Sequence, residues 1–194
     1  MRKQLGMTLA EMIIAIVLMG IAMVAFTSFL VPQIRDSAMP HYQTRATALG
    51  QSFMSQILAR GFDENSDFDG GLLRCGESTL GAPNCSSNLG PDSGESIPEN
   101  FDDVDDYIGC WSTPTTVAQC QETSRGNISD ILGASSEDKY RNFRVEVSVA
   151  YDDLSATPPT GITNYKKVTV RIFASNAQPL TLTAIRGNYP ASFQ

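Results

Sequence analysis

Two clusters of oxygen-bearing side chains are the parts of this sequence best equipped for chemistry. In Asn65-Ser66-Asp67-Phe68-Asp69-Gly70, the side chains of Asn65, Asp67 and Asp69 imitate the opening of a calcium loop, where alternate residues offer oxygens to a hard cation. The glutamate that closes such a loop at its twelfth position falls one place late, because Gly76 holds that position and Glu77 follows. The stretch FDDVDDY supplies a second group, Asp102, Asp103, Asp105 and Asp106. The simpler reading of both is a solvated turn whose side chains bond their own backbone, with calcium as the alternative. Paired carboxylates also serve glycoside hydrolysis. Adjacent Asp residues are common in turns, however, and no other catalytic constellation accompanies these.

The rest of the inventory excludes more than it offers. The single histidine, His41, cannot build a multi-histidine metal site and argues against His-assisted nucleophilic catalysis. There is no phosphate-binding P-loop, no glycine-rich dinucleotide fingerprint and no GxSxG elbow. The expectation is a protein that is not an enzyme and uses no cofactor. With 21 acids against 14 bases, the 194-residue chain carries a formal −7, which speaks against nucleic acid as a partner. The four cysteines, Cys75, Cys85, Cys110 and Cys120, contain no CxxC, so zinc is disfavoured and disulfides in an oxidising compartment are expected. Of three possible connectivities, Cys75–Cys85 and Cys110–Cys120 are favoured because each closes a short loop in a turn-rich segment.

Glu11 stands apart from both clusters. It heads an uncharged run from Met12 to Val31, twenty residues that would span about 30 Å as a helix, the thickness of a bilayer core. Arg2 and Lys3 precede the run, as the positive-inside rule requires of a cytoplasmic end. The apolar core is too long for an ordinary secretory signal, and no A-x-A-like cleavage site follows it.

The elements that must position these residues are legible from periodicity. Ile34, Ala38, Tyr42, Ala46, Leu49, Phe53 and Ile57 recur every three or four residues, one stripe of an amphipathic helix over 32–61. Gly61 looks like its stop, and Pro32 and Pro40 are positions where a continuous helix would kink or break. Strict alternation in FRVEVSVAY, KVTVRIF and LTLTAI predicts three strands joined by turn-rich connections, hence an antiparallel meander over 140–194. Its apolar face should cover the helix stripe in an α+β arrangement. Between them, 62–139 is rich in Gly, Ser, Asp, Asn and Pro, and should form short disulfide-stapled elements. Phe68, Leu72, Leu73, Phe101, Val104, Tyr107, Ile108 and Trp111 would tack it to the core.

Gly6-Met7-Thr8-Leu9-Ala10-Glu11, followed by MIIAIVLMGIAM, resembles the signal of type IV pilins and pseudopilins. Met7 stands where Phe is commoner and Ala10 where Ile or Val is usual. The resemblance implies that residues 1–6 are a leader, that prepilin peptidase cuts between Gly6 and Met7, and that Met7 is then N-methylated. Loss of Arg2 and Lys3 would leave 12 bases against 21 acids, a formal −9. Residues 7–31 would be the transmembrane and filament-core half of a helical spine, and Glu11 would pair in assembly with a terminal amine. The patches ILARGFDENSD, LRCGE, FDDVDDY and TAIRGNYP resemble the D-type minor prepilins of the mannose-sensitive haemagglutinin (MSHA) pilus. The implied partners are other pilin subunits, the peptidase, the inner-membrane assembly platform and the membrane itself. The implied course runs from a single-pass inner-membrane subunit with a periplasmic domain to the pilus on the cell surface, where it would aid biogenesis and adhesion. A type II secretion pseudopilin, or a membrane-anchored adhesin or sugar-binding module, are the competing readings.

Overall fold

The computed structural model describes residues 8–66, 73–78, 81–175 and 177–189. One long helix, α1, runs Leu9–Leu58. It is followed by β1 (Gly109–Ser112), β2 (Ser124–Asn127), a short α2 (Ile128–Leu132), β3 (Phe143–Asp152), β4 (Tyr165–Ala174) and β5 (Leu180–Gly187). The chain divides into two compact units, 1–42 and 43–194.

In the first unit the helix continues through Pro32 and Pro40 rather than breaking at either. A proline removes its own N–H from the ladder and crowds the carbonyl four residues back, yet here the residues on both sides keep helical geometry. In the second unit the helix ends at Leu58, short of the expected boundary. Arg60 N–H reaches back to Ile57 O at 3.0 Å, tightening the final turn, and Gly61 N–H leaves to bond Asp102 O at 2.7 Å. Gly61 therefore ends the helix by joining a bridge to the 102–103 segment, not by a left-handed cap.

The three strands predicted from alternation form the antiparallel meander β3-β4-β5, in register from Phe143↔Ala174 to Asp152↔Tyr165 and from Tyr165↔Gly187 to Ile172↔Leu180. The expected stapled region adds two strands to the same sheet, giving the order β2-β1-β3-β4-β5 with β1 and β2 parallel. Gly109 opens β1 with φ +132°, and a Cβ there would lie 2.7 Å from Thr123 O, so only glycine fits.

The core of this unit is the helix stripe laid on one sheet face. Ala46, Leu49, Phe53 and Ile57 are buried, as are Val145, Val147, Val168, Val170 and Ile172. Gly50 permits the approach: a Cβ there would meet Ile172 Cδ1 at 2.6 Å and Leu182 Cδ1 at 2.8 Å. Trp111 fills the β1 end of the face, 6.0 Å edge-on from Phe53 and 6.2 Å from Phe101. Phe101, Val104 and Tyr107 join it in the core. Leu73 is exposed and Ile108 half-buried, against expectation, while Ile34, Ala38, Phe68 and Leu72 lie outside the residues whose side chains are described.

Candidate functional site

The first candidate is the amino-terminal helix. Every residue from Thr8 to Phe29 is exposed, and Leu9–Leu30 is long and apolar enough to cross a membrane. A helix apolar on all sides needs lipid or other helices around it. Its few polar groups are satisfied internally. Thr27 Oγ1 donates to Met23 O at 2.9 Å, and Ser28 Oγ donates to Ala25 O at 2.9 Å. Such back-bonding suits a medium without water. Glu11, for which the sequence offered no partner ahead of any processing, has one in its own chain. Its Oε2 accepts from Thr8 N–H at 2.9 Å and Thr8 Oγ1 at 3.1 Å, while Thr8 Oγ1 accepts from Glu11 N–H at 3.4 Å. This is a reciprocal capping box, and Thr8-x-x-Glu11 is its sequence signature. Gly6 and Met7 lie outside the described residues.

The second candidate is built around Lys166. The inward positions of β4 are Val168, Val170, Ile172 and, one step earlier in the same alternation, Lys166. Lys166 is fully buried, with Tyr151 opposite it on β3 and Arg186 opposite it on β5. Its Nζ donates to Asp63 Oδ2 at 3.0 Å and to Asp105 Oδ1, and lies 4.9 Å from the Phe62 ring centroid. Burial alone would lower its pKa, but Asp105, Asp103 and Asp63 outweigh that and hold it above the ordinary lysine value. Asp63 is further saturated by Ser86 N–H at 3.0–3.1 Å and by the Tyr151 hydroxyl at 3.3 Å. Burial, and then Asp63, raise the Tyr151 pKa, so the phenol remains a donor. Arg186 completes the polar end of the face, donating from Nη1 to the Leu58 carbonyl at the helix terminus, 3.4 Å away.

The FDDVDDY carboxylates are thus not a solvated turn. Asp103, Asp105 and Asp106 are each 1% exposed. They also split into two functions. Asp103 accepts from Glu64 N–H at 2.8 Å and Asp105 N–H at 2.7 Å, and Asp105 accepts from Gly90 N–H at 3.0 Å besides Lys166. Burial and then Asp105 push the Asp103 pKa up to about 9. These two carboxyls are engaged by Lys166 and by backbone N–H groups in the domain interior. Asp102 and Asp106 face the other way, toward Glu64 and Glu95, two residues that no local sequence pattern connects with them. Burial and then Asp102 push Glu64 up to about 7. Asp106 is pushed to about 7, chiefly by burial, with Asp103 N–H opposing and Glu95 adding to the rise.

Of the other predicted site residues, Asn65 is exposed and bonds Asp63 Oδ1 through its N–H and Ser86 Oγ through its amide. Asp67 and Asp69 lie outside the described residues. Cys75 is joined to Cys85 and Cys110 to Cys120. Asp63 sits beside the first disulfide, whose sulfurs, being bonded to each other, offer no thiolate to a metal.

Residues 1–27 match the prokaryotic N-terminal methylation motif. No curated protein and no solved structure matches the chain. The motif and the apolar helix that continues it support a pilin-like or pseudopilin-like subunit anchored in a membrane.

Proposed function

We propose that the chain is a minor pilin of the D-type in an MSHA-like type IV pilus, a structural subunit that helps the filament form and contributes to surface adhesion. The observation that carries this reading is the methylation motif over 1–27 running without interruption into the exposed apolar helix Leu9–Leu30. The likeness of FDDVDDY, LRCGE and TAIRGNYP to MSHA minor prepilins supports the finer assignment. In this reading the subunit waits in the inner membrane of a Gram-negative cell with its carboxy-terminal domain in the periplasm. Prepilin peptidase removes residues 1–6 and methylates Met7. The assembly platform then moves the helix from lipid into a filament, where neighbouring pilin helices replace the acyl chains around it. The chain does no chemistry on a substrate.

Mass spectrometry of the mature protein tests the reading: it should begin at methylated Met7, and an intact Met1 would overturn it. Shearing the cells separates the two filament systems. Recovery with surface pili is expected, whereas retention in the periplasmic fraction would assign the chain to a type II secretion pseudopilus.

A further inference from the structure

The loops that close over Lys166 leave four other carboxyls facing one another. Glu64, Glu95 and Asp102 each bring an oxygen within 4.8 Å of the other two. Asp106 abuts Glu95 from the buried side. Donors reach only part of the cluster: Glu95 Oε2 accepts from Asp92 N–H at 2.8 Å, while Glu64 meets Asp102 and Glu95 meets Asp106 carboxyl to carboxyl. Asp106 is 1% exposed; its Oδ2 accepts from Asp102 N–H at 3.0 Å and Asp103 N–H at 2.9 Å, but its buried Oδ1 meets no N–H or hydroxyl donor among the described residues. Asp102 Oδ1 is likewise buried and unpartnered. A buried carboxylate oxygen without a donor is costly, and nearby carboxylates add repulsion. Lys166 does not relieve this, because its Nζ is held by Asp63 and Asp105. Arg60 attracts Asp102, yet its Nε is turned to Tyr107 Oη at 3.1 Å.

We propose that Glu64, Glu95, Asp102 and Asp106 form a calcium-binding site. The ligands are all oxygens, which selects a hard cation over zinc or copper. Two oxygens bound to one calcium at 2.3–2.6 Å lie at most about 5 Å apart, and the Glu64, Glu95 and Asp102 oxygens all fall within 4.8 Å of one another. Magnesium demands a near-ideal octahedron and is usually held through one or two carboxylates, so a site of four carboxyls favours calcium. Glu64 is exposed and gives the ion its path from solvent. The inference stands independently of the pilin reading.

Full-length protein in detergent, stripped with chelator, is titrated with calcium or magnesium while binding and thermal unfolding are followed. Calcium should bind with a Kd no weaker than about 10⁻³ M, the range of extracellular calcium modules, and should raise the unfolding temperature. Glu64→Gln with Glu95→Gln changes side chains that are not buried, and should weaken calcium binding at least tenfold. No calcium-dependent stabilisation of the wild type, equal affinity for magnesium, or full calcium affinity in the double variant would each overturn the site. Should the double variant fail to fold, the wild-type titration still decides.

Discussion

Thr8 and Glu11 complicate the simplest view of the amino terminus. The capping box gives Glu11 a structural role before any subunit meets another, with a cap contributing about 1 kcal/mol. Charge separates the two roles. Glu11→Gln retains a capping-box residue type and loses only the negative charge, so the proposed pairing with a terminal amine predicts that Gln, like Ala, inserts into membrane but enters filaments poorly. Normal incorporation of the Gln variant, read by immunoblot of sheared filaments, would reduce Glu11 to a cap. Lys166 is the other residue with a large stake. Removing it as Lys166→Met leaves Asp63 and Asp105 buried and facing each other, and should cost about 3–5 kcal/mol in denaturant unfolding. Its folded pKa is raised above the ordinary 10.5, so its stabilisation is intact below that value and is lost as pH rises through the higher folded value. Wild-type stability should therefore fall on the alkaline side, and Lys166→Met should lack that portion of the fall. The strand reading began at Lys167; carrying the alternation of Val168 and Val170 back one step would have placed Lys166 inside. Glu64 and Glu95 had no such signal, because only the folding of separate loops brings them to Asp102.

Among the elements, strict alternation made β3, β4 and β5 readable, and the three-to-four spacing made the Ala46–Ile57 stripe readable. β1 escaped because it is four residues long and buried at every position, with no polar face to mark a period. β2 escaped for the opposite reason, having no apolar side chain in Ser124–Asn127. What holds this parallel pair includes the Cys110–Cys120 disulfide, which anchors the intervening loop at β1. Closing a loop of ten residues contributes about 2.7 kcal/mol in the chain-entropy account. Cys110→Ser with Cys120→Ser should lose roughly that much stability, measured by denaturant midpoint, and should expose Trp111 fluorescence to quencher. At the helix–sheet contact, Gly50→Ala should cost about 1 kcal/mol net: helix propensity gains about 1 kcal/mol, while a methyl 2.6 Å from Ile172 Cδ1 overfills a buried contact at a cost of about 1–3 kcal/mol. Gly50→Leu overfills the same space and should cost about 1–3 kcal/mol.

At the scale of the whole molecule, the two units face different solvents. The exposed apolar surface of Leu9–Leu30 predicts that the full chain stays in the membrane fraction after alkaline carbonate extraction, and that replacing Ile16 and Val17 with Asp releases it. Membrane contact was legible because it depends on composition alone. The acidic site was legible only at Asp102 and Asp106, because its other members, like the partners of Lys166, are brought in from elsewhere along the chain. That distance also imposes an order in time. Lys166 lies 103 residues after Asp63 and 61 after Asp105. At about 5–20 residues per second, synthesis of the intervening 103 residues takes about 5–20 s. Throughout that interval the acidic loops lack the cation that lets them enter the interior. They stay hydrated and open until the fourth strand emerges, so the domain closes late, after most of its length has left the ribosome.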